Sequence, residues 1–449
     1  MNCKRHVSAF CVMLLACSAG AAEPSISNIE ISQPNGSTSV VITYDLDNAP
    51  AVVTVELLTN GTPISAELLM GLTGDGNCKV AQGAGRRIRW RPPRSLRGGA
   101  LPDVTARLTA WPLAAPPDYA VWDLSASDGP ASLRFYPNEA SIPGGIHDAK
   151  YATTHLVMRK IPAGGTTRRL GTNANLTNTG LYPRCIPRLV TFTRDYYMSV
   201  FELTQGQCGQ VWSWSFSPNG SGRAEAALLP MNSVMFDEIR GATLGRLWPA
   251  AGESEAVAHQ VDDGSIVAAF RAKTGVASLD LPTAAQWEFA YRAGTWQNYY
   301  WGMDRARASV AAEIEASTNN AWTSENSTQI QPVGKLLANA FGLYDMGGNA
   351  TEFCLDWFTL GATFSDGSDE TDPRGPTEAA VRGNPYANGT RVLIGGSRAS
   401  AADDNVSASV RSSQYSNASD AGQNVNNFRA GSAHIGFRFV CDAAFLAGN

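Results

Sequence analysis

The sequence predicts an α+β chain in two parts: a small N-terminal β-sandwich, then a larger mixed module rich in irregular structure. Three observations carry this. Short β-branched runs crowd residues 24–111, a Pro-rich stretch (Pro112 to Pro117, PLAAPP) follows, and from Tyr119 onward Gly, Asn, Trp and short capped helices become frequent. The implied boundaries are 24–111 for the sandwich, 112–118 for a stiff linker and 119–445 for the second domain. A length of 449 residues suits two or three domains.

In the first domain, Ile29-Glu30-Ile31-Ser32 alternates apolar and polar residues, and Ser39–Tyr44 and Val52–Leu58 are β-branched runs. Asn60-Gly61 directly after the second run is a hairpin turn signal, because both residues tolerate positive φ. Arg87–Trp90 and Val104–Leu108 supply later strands. About seven short strands over roughly 90 residues suit a sandwich of the immunoglobulin or fibronectin type. No catalytic cluster stands out in it, so it reads as a spacer or adhesion module.

In the second domain, Thr204-Gln205-Gly206-Gln207 and Thr283-Ala284-Ala285-Gln286 both have capping-box spacing. Trp287, Ala290 and Tyr291 then fall on one helical face, and Gly294 is placed to end that helix. The Trp residues of both helices read as core anchors. Residues 398–434 are rich in Ser, Ala, Asn and Asp with little apolar periodicity, which predicts an irregular, mostly exposed stretch. Ile435–Cys441 reads as a buried strand that closes it.

A net charge of −5 with no polybasic run gives no reason to expect nucleic acid as a partner. Residues 1–22 read as an export signal: Lys4 and Arg5, a short apolar stretch Ala9 to Ala16, then small residues with cleavage expected after Ala21 or Ala22. Leu14-Leu15-Ala16-Cys17 also loosely matches a lipoprotein site, which would lipidate Cys17. No later stretch is apolar for long enough to span a bilayer. The expected location is therefore secreted, periplasmic or cell-surface. Cys78, Cys185, Cys208, Cys354 and Cys441 would remain in the mature chain, an odd number with no CxxC pair, so a zinc knuckle is not expected. Gly-x-Ser-x-Gly is absent, and no His pair has metal-ligand spacing.

Six segments in order carry a resemblance. They are Leu156–Gly164, Tyr197–Gln205 (with Glu202-Leu203-Thr204), Leu281–Ala290 (LPTAAQWEFA), Asn339–Asn349 (NAFGLYDMGGN), Arg391–Ser397 (RVLIGGS) and Gly436-Phe437-Arg438. Together the chain resembles the sulfatase-modifying-factor, or formylglycine-generating enzyme, family over roughly residues 150–441. The resemblance implies an elaborated C-type-lectin-like fold that often holds calcium. In the family's active members two cysteines bind Cu(I), activate oxygen and oxidise a sulfatase cysteine to formylglycine.

Those cysteines sit three and eight residues after the serine of GGS. Here Ser397 is that serine and the two positions are Ser400 and Asn405. Neither offers the thiolate a soft Cu(I) ion prefers, so copper oxidase chemistry by that route is not expected. The family's calcium turn maps onto the carbonyls of Gly347, Gly348 and Ala350 and the carboxylate of Glu352, a plausible start for a hard, oxygen-rich ion. The alternative is that Gly347-Gly348 is only a tight turn and Glu352 pairs with an arginine. Where the catalytic loop would lie, Arg398, Asp403, Asp404, Arg411, Tyr415 and Arg429 are ligand-binding candidates on a polar surface. Two functions follow from the resemblance. One is a non-catalytic member, a pseudoenzyme, that recognises an extracellular glycan or protein. The other is a formylglycine-generating oxidoreductase whose partner is an exported sulfatase.

Overall fold

The computed structural model describes residues 23–35, 37–94, 103–171, 187–246, 248, 259–303, 311–358, 368–381, 390–400, 411–415 and 432–447. Residues 1–22, read above as an export signal and including Cys17, lie outside them. Two compact units are present, and they do not divide the chain at one linear point. The first takes residues up to Val121, then Leu133–Asp148 and Ala443–Asn449; the second takes Trp122–Ser132 and Ala149–Asp442. The linear 112–118 boundary is therefore replaced by an interleaved one: Tyr119–Val121 and the 133–148 segment fold with the sandwich.

The N-terminal unit is the expected sandwich. One sheet has the order β1-β2-β7-β5 and the other β4-β3-β6, with β8 also on β3. The strands are β1 (Ser25–Ser32), β2 (Val40–Asp47), β3 (Ala51–Thr59), β4 (Thr62–Pro63), β5 (Leu72–Gly74), β6 (Cys78–Val80), β7 (Gly83–Trp90) and β8 (Val104–Pro112). Residues from both sheets, among them Ile42, Tyr44, Val53, Leu57, Ile88 and Trp90, share one apolar core. The Asn60-Gly61 turn joins β3 to β4 with φ of 49° and 75°, the left-handed pair that a two-residue hairpin needs. β9 (Tyr119–Asp123), whose last two residues fall in the second unit, pairs antiparallel with β10 (Arg134–Tyr136) through Ala120↔Phe135 and Tyr119↔Tyr136.

The second unit is α+β, built from short strands and short helices. β11 (His155–Ile161) pairs with β14 (Tyr196–Ser199), and β14 with β20 (Val440–Asp442), all antiparallel. β12 (Thr166–Leu170) and β13 (Arg188–Phe192) form a hairpin, to which β16 (Glu370–Thr371) adds in parallel. A third sheet runs β18-β17-β15-β19, from β15 (Thr351–Trp357), β17 (Thr390–Ile394), β18 (Arg411–Tyr415) and β19 (Ile435–Gly436). The main helices are α1 (Gln205–Gly209), α2 (Phe236–Arg240), α3 (Ile266–Thr274) and α4 (Ala284–Arg292); α5 (Ala311–Asn320) and α6 (Glu378–Val381) follow. Both expected capping boxes form, Thr204 with Gln207 and Thr283 with Gln286.

Helix α4 ends at Arg292, with Ala293 as its left-handed cap at φ 45° and Gly294 following at φ 94°. Two expectations are corrected here. Part of 398–434 is not irregular: β18 pairs antiparallel with β17, Arg411 opposite Ile394 and Tyr415 opposite Thr390. Ile435–Cys441 is buried throughout but is not one strand. It is split between β19 and β20, which belong to different sheets. The break falls where Arg438 turns inward to a buried carboxylate.

Candidate functional site

The Ser397 turn begins where β17 ends in two glycines. A Cβ on Gly395, at φ 91°, would lie 3.0 Å from the Trp287 ring, so the chain turns there only without a side chain. Past it, the Ser400 N–H donates to the Ser397 carbonyl at 2.8 Å. The Ser397 N–H donates to Ser400 Oγ at 3.1 Å, and the Ala399 N–H donates to Ser397 Oγ at 3.2 Å. The turn is docked from both sides: Ser400 O accepts from the Ser324 N–H at 2.8 Å, and the Arg398 N–H donates to Asn349 O at 2.9 Å. Ser400, which the resemblance matches to the first thiolate of active members, is thus a hydroxyl engaged with the backbone of its own turn. Arg398 lies beside both serines, but its guanidinium donates to the Thr328 carbonyl at 3.1 Å, back onto the chain. Asp403, Asp404, Asn405 and Arg429 lie outside the described residues. Arg411 and Tyr415 are placed by backbone register on β18.

Next to this turn is the Gly347–Glu352 segment. Gly348 takes φ 80° with its Cβ position 2.1 Å from Trp322 O, so glycine is required there. The Ala350 N–H and the Asn349 side-chain amide donate to the two oxygens of Glu202, at 2.8 and 2.7 Å. Glu352 does not face outward toward a cation. Arg438 grips both its oxygens, Nη2 at 2.6 Å from Oε1 and Nε at 2.8 Å from Oε2, and Trp287 Nε1 donates to Oε2 at 2.7 Å. The pair is buried, with side-chain exposures of 0% and 1%. A calcium ligand needs a carboxylate with lone pairs turned to the ion, and this one is already committed to a fork of guanidinium donors. The calcium assignment through Glu352 is therefore corrected: these residues form a structural ion pair, and the Gly347, Gly348 and Ala350 turn is fastened to a buried glutamate.

This centre holds more acid than base. Glu202, Asp345 and Glu352 are all buried around the single Arg438. Burial, aided by the charges of Asp345 and Glu352, pushes the Glu202 carboxyl well above its usual range. Burial likewise raises Asp345 to about 6, although its Oδ2 accepts from the Gly334 N–H at 2.7 Å. Arg438 is held charged against burial chiefly by Glu352.

A second centre in the same unit has the opposite balance. Asp280, fully buried, accepts from Arg240 Nε at 2.8 Å and Nη2 at 3.0 Å, from Arg271 Nη2 at 3.2 Å, and lies 3.1 Å from His259 Nδ1. Burial would raise its carboxyl; Arg240, His259 and Arg271 hold it well below the carboxylate range. Arg391 is buried nearby, stacked 3.4 Å over Trp357 and bonded to the carbonyls of Leu355, Arg246 and Trp248. Burial and the charge of Arg240 push its pKa well down.

The geometry defines an α+β module organised around one glycine-rich turn, one serine turn and an inward Glu–Arg pair. Residues 158–443 match the family described as sulfatase-modifying factor enzyme 1-like domain, and the chain belongs to that family. A formylglycine-generating enzyme of Streptomyces coelicolor is 30% identical over 175 residues, 38% of this chain and 48% of that enzyme. One from Thermomonospora curvata is 37% identical over 108 residues, 23% of this chain and 35% of that enzyme. The chain thus matches about half or less of the length of these relatives. Among solved structures, Treponema denticola variable protein 1 superposes loosely, at 21% identity and a TM-score of 0.40, over 64% of this chain and 96% of that one. PvdO from Pseudomonas aeruginosa does so at 17% and 0.42, over 64% and 94%.

Reading the sequence for chemistry overlooked Glu202, Asp345 and Arg438 as one centre, although all three lie inside segments that carry the resemblance. It overlooked Asp280 with Arg240 and Arg271 entirely. The available signal was a lone acidic residue immediately before Leu281-Pro282-Thr283, where the chain enters a buried helix.

Proposed function

We propose that this protein is an exported, non-catalytic member of its family that recognises an extracellular glycan or protein through the surface around the Ser397–Ser400 turn. The observation that carries the reading is the Ser400 hydroxyl, which closes its own turn where active members present a thiol. A serine hydroxyl is not the soft thiolate that Cu(I) prefers. Two of the described thiols are poor substitutes. Cys208 and Cys441 are buried, and burial drives both thiol pKa values far upward, away from the thiolate that binds a soft metal. Cys441 lies on β20, paired opposite Tyr197. No helix among the described residues is long and apolar enough to cross a membrane, which is compatible with export.

The test is direct. The purified protein, given Cu(I), oxygen and a Cys-x-Pro-x-Arg peptide, is expected to leave the peptide mass unchanged, while a glycan and secretome array returns a ligand whose binding is reduced by substitutions on the Ser397–Ser400 turn. Aldehyde formation on the peptide would overturn the proposal and make an exported sulfatase the partner.

A further inference from the structure

The base-rich centre borders an open cleft of about 750 Å³ within the second unit. Its volume lies in the range of small-molecule sites. Its lining includes the basic side chains of Arg194, His259, Arg271 and Arg374, the ring of Trp248, and the acids Asp195, Asp372 and Asp442.

The acidic and basic groups at the cleft are in different states. The acids are already engaged: Asp195 accepts from the Gly164 N–H at 2.8 Å, Asp372 accepts from the Thr193 N–H at 3.0 Å, and Asp442 pairs with Arg194 at 3.1 Å. Among the bases, Arg271 shares the carboxylate of Asp280 with Arg240. Arg374 lies over the Trp248 ring at 5.5 Å, and among the described residues its guanidinium has no hydrogen-bond or ion-pair partner. His259 commits Nδ1 to Asp280 and lies tilted against the Trp248 ring at 4.8 Å, which leaves Nε2 as its unused polar atom.

The guanidinium is also carried on a fixed backbone. The Arg374 carbonyl accepts from Trp248 Nε1 at 3.3 Å, and a Cβ on the next residue, Gly375 (φ 73°), would meet Asp356 Oδ1 at 2.7 Å. The loop is therefore seated closely on β15 and depends on that glycine. A concave site whose acids are already engaged, with a guanidinium that has no partner among the described residues and an unused imidazole nitrogen, is suited to take an anionic group.

We propose that this cleft binds a small molecule through a carboxylate or sulfate group seated against Arg374 and His259, at a site separate from the Ser397 turn and independent of what that turn does. The test uses the full chain and three probes of similar size in calorimetry: glucuronate, glucose 6-sulfate and neutral glucose. Binding of one or both acidic sugars, with glucose silent, is expected, and the tighter acid identifies the source of the anion. Arg374→Gln should weaken that binding by about tenfold or more, the loss of one charge-assisted contact, at unchanged melting temperature. Arg374→Lys should restore part of it. Equal binding of glucose, silence of both acids, or an Arg374→Gln variant that folds and binds like the parent would each overturn the proposal.

Discussion

Two buried ionic centres sit in one unit with opposite imbalances. Around Arg438 three carboxylates converge on one guanidinium; around Asp280 two guanidiniums and an imidazole converge on one carboxylate. The difference shows in the pKa directions. In the acid-rich centre the surplus carboxyls of Glu202 and Asp345 are pushed up, toward the neutral form; in the base-rich centre the lone carboxyl of Asp280 is pulled down, locked as an anion. A buried acid without a cation of its own sheds its charge by holding a proton. A surplus guanidinium sheds charge far less readily, so it needs stacking, carbonyls or a counter-anion instead. The acid-rich centre is sealed in the interior beneath the glycine turn. The base-rich centre lies at the edge of a cleft, where an outside anion can supply what is missing.

The comparison breaks most sharply if the single cation of the first centre is removed. Arg438→Met strands Glu352 without its fork of donors and should cost about 3–5 kcal/mol, read by denaturant unfolding. A loss below 1 kcal/mol would mean that Glu352 is hydrated and the pair is not structural. Next, Asp280→Asn leaves Arg240 and Arg271 facing a neutral amide. It should cost somewhat less, about 2–3 kcal/mol, because the cleft lets part of the freed charge reach water. If the two variants reversed order, the base-rich centre would be the drier one.

The smallest effect sharpens the comparison through pH. Asp345 has a folded-state pKa raised to about 6 from an ordinary 3.8, so the folded protein holds a proton that the unfolded chain releases. Its contribution to stability is full below about pH 4 and is lost as pH rises through about 6. Asp345→Asn keeps an acceptor for the Gly334 N–H but removes the titration. It should raise the melting temperature at pH 8 and leave it nearly unchanged at pH 4. A variant whose gain is the same at both pH values would show that Asp345 is not protonated in the folded state.

Much of this was legible along the chain because it depends on neighbours in sequence. Asn60-Gly61 makes its hairpin from the φ preferences of two adjacent residues, and Thr204/Gln207 and Thr283/Gln286 close their capping boxes across a single helical turn. That Ser400 and Asn405 offer no thiol is likewise a fact of residue identity, and it shapes the functional proposal before any fold is drawn. What Glu352 binds was another matter. Identity and spacing allowed either an outward carboxylate for calcium or an inward partner for an arginine, and the choice fell to Arg438, 86 residues later, delivered by the split between β19 and β20. Arg240 and Asp280 came together in the same way, from α2 and the entry to α4. Local rules act through backbone dihedrals and short hydrogen bonds, which the residues at hand determine. Burial of charge is settled only when distant segments pack, since the energy of an ion out of water depends on what the rest of the chain places beside it.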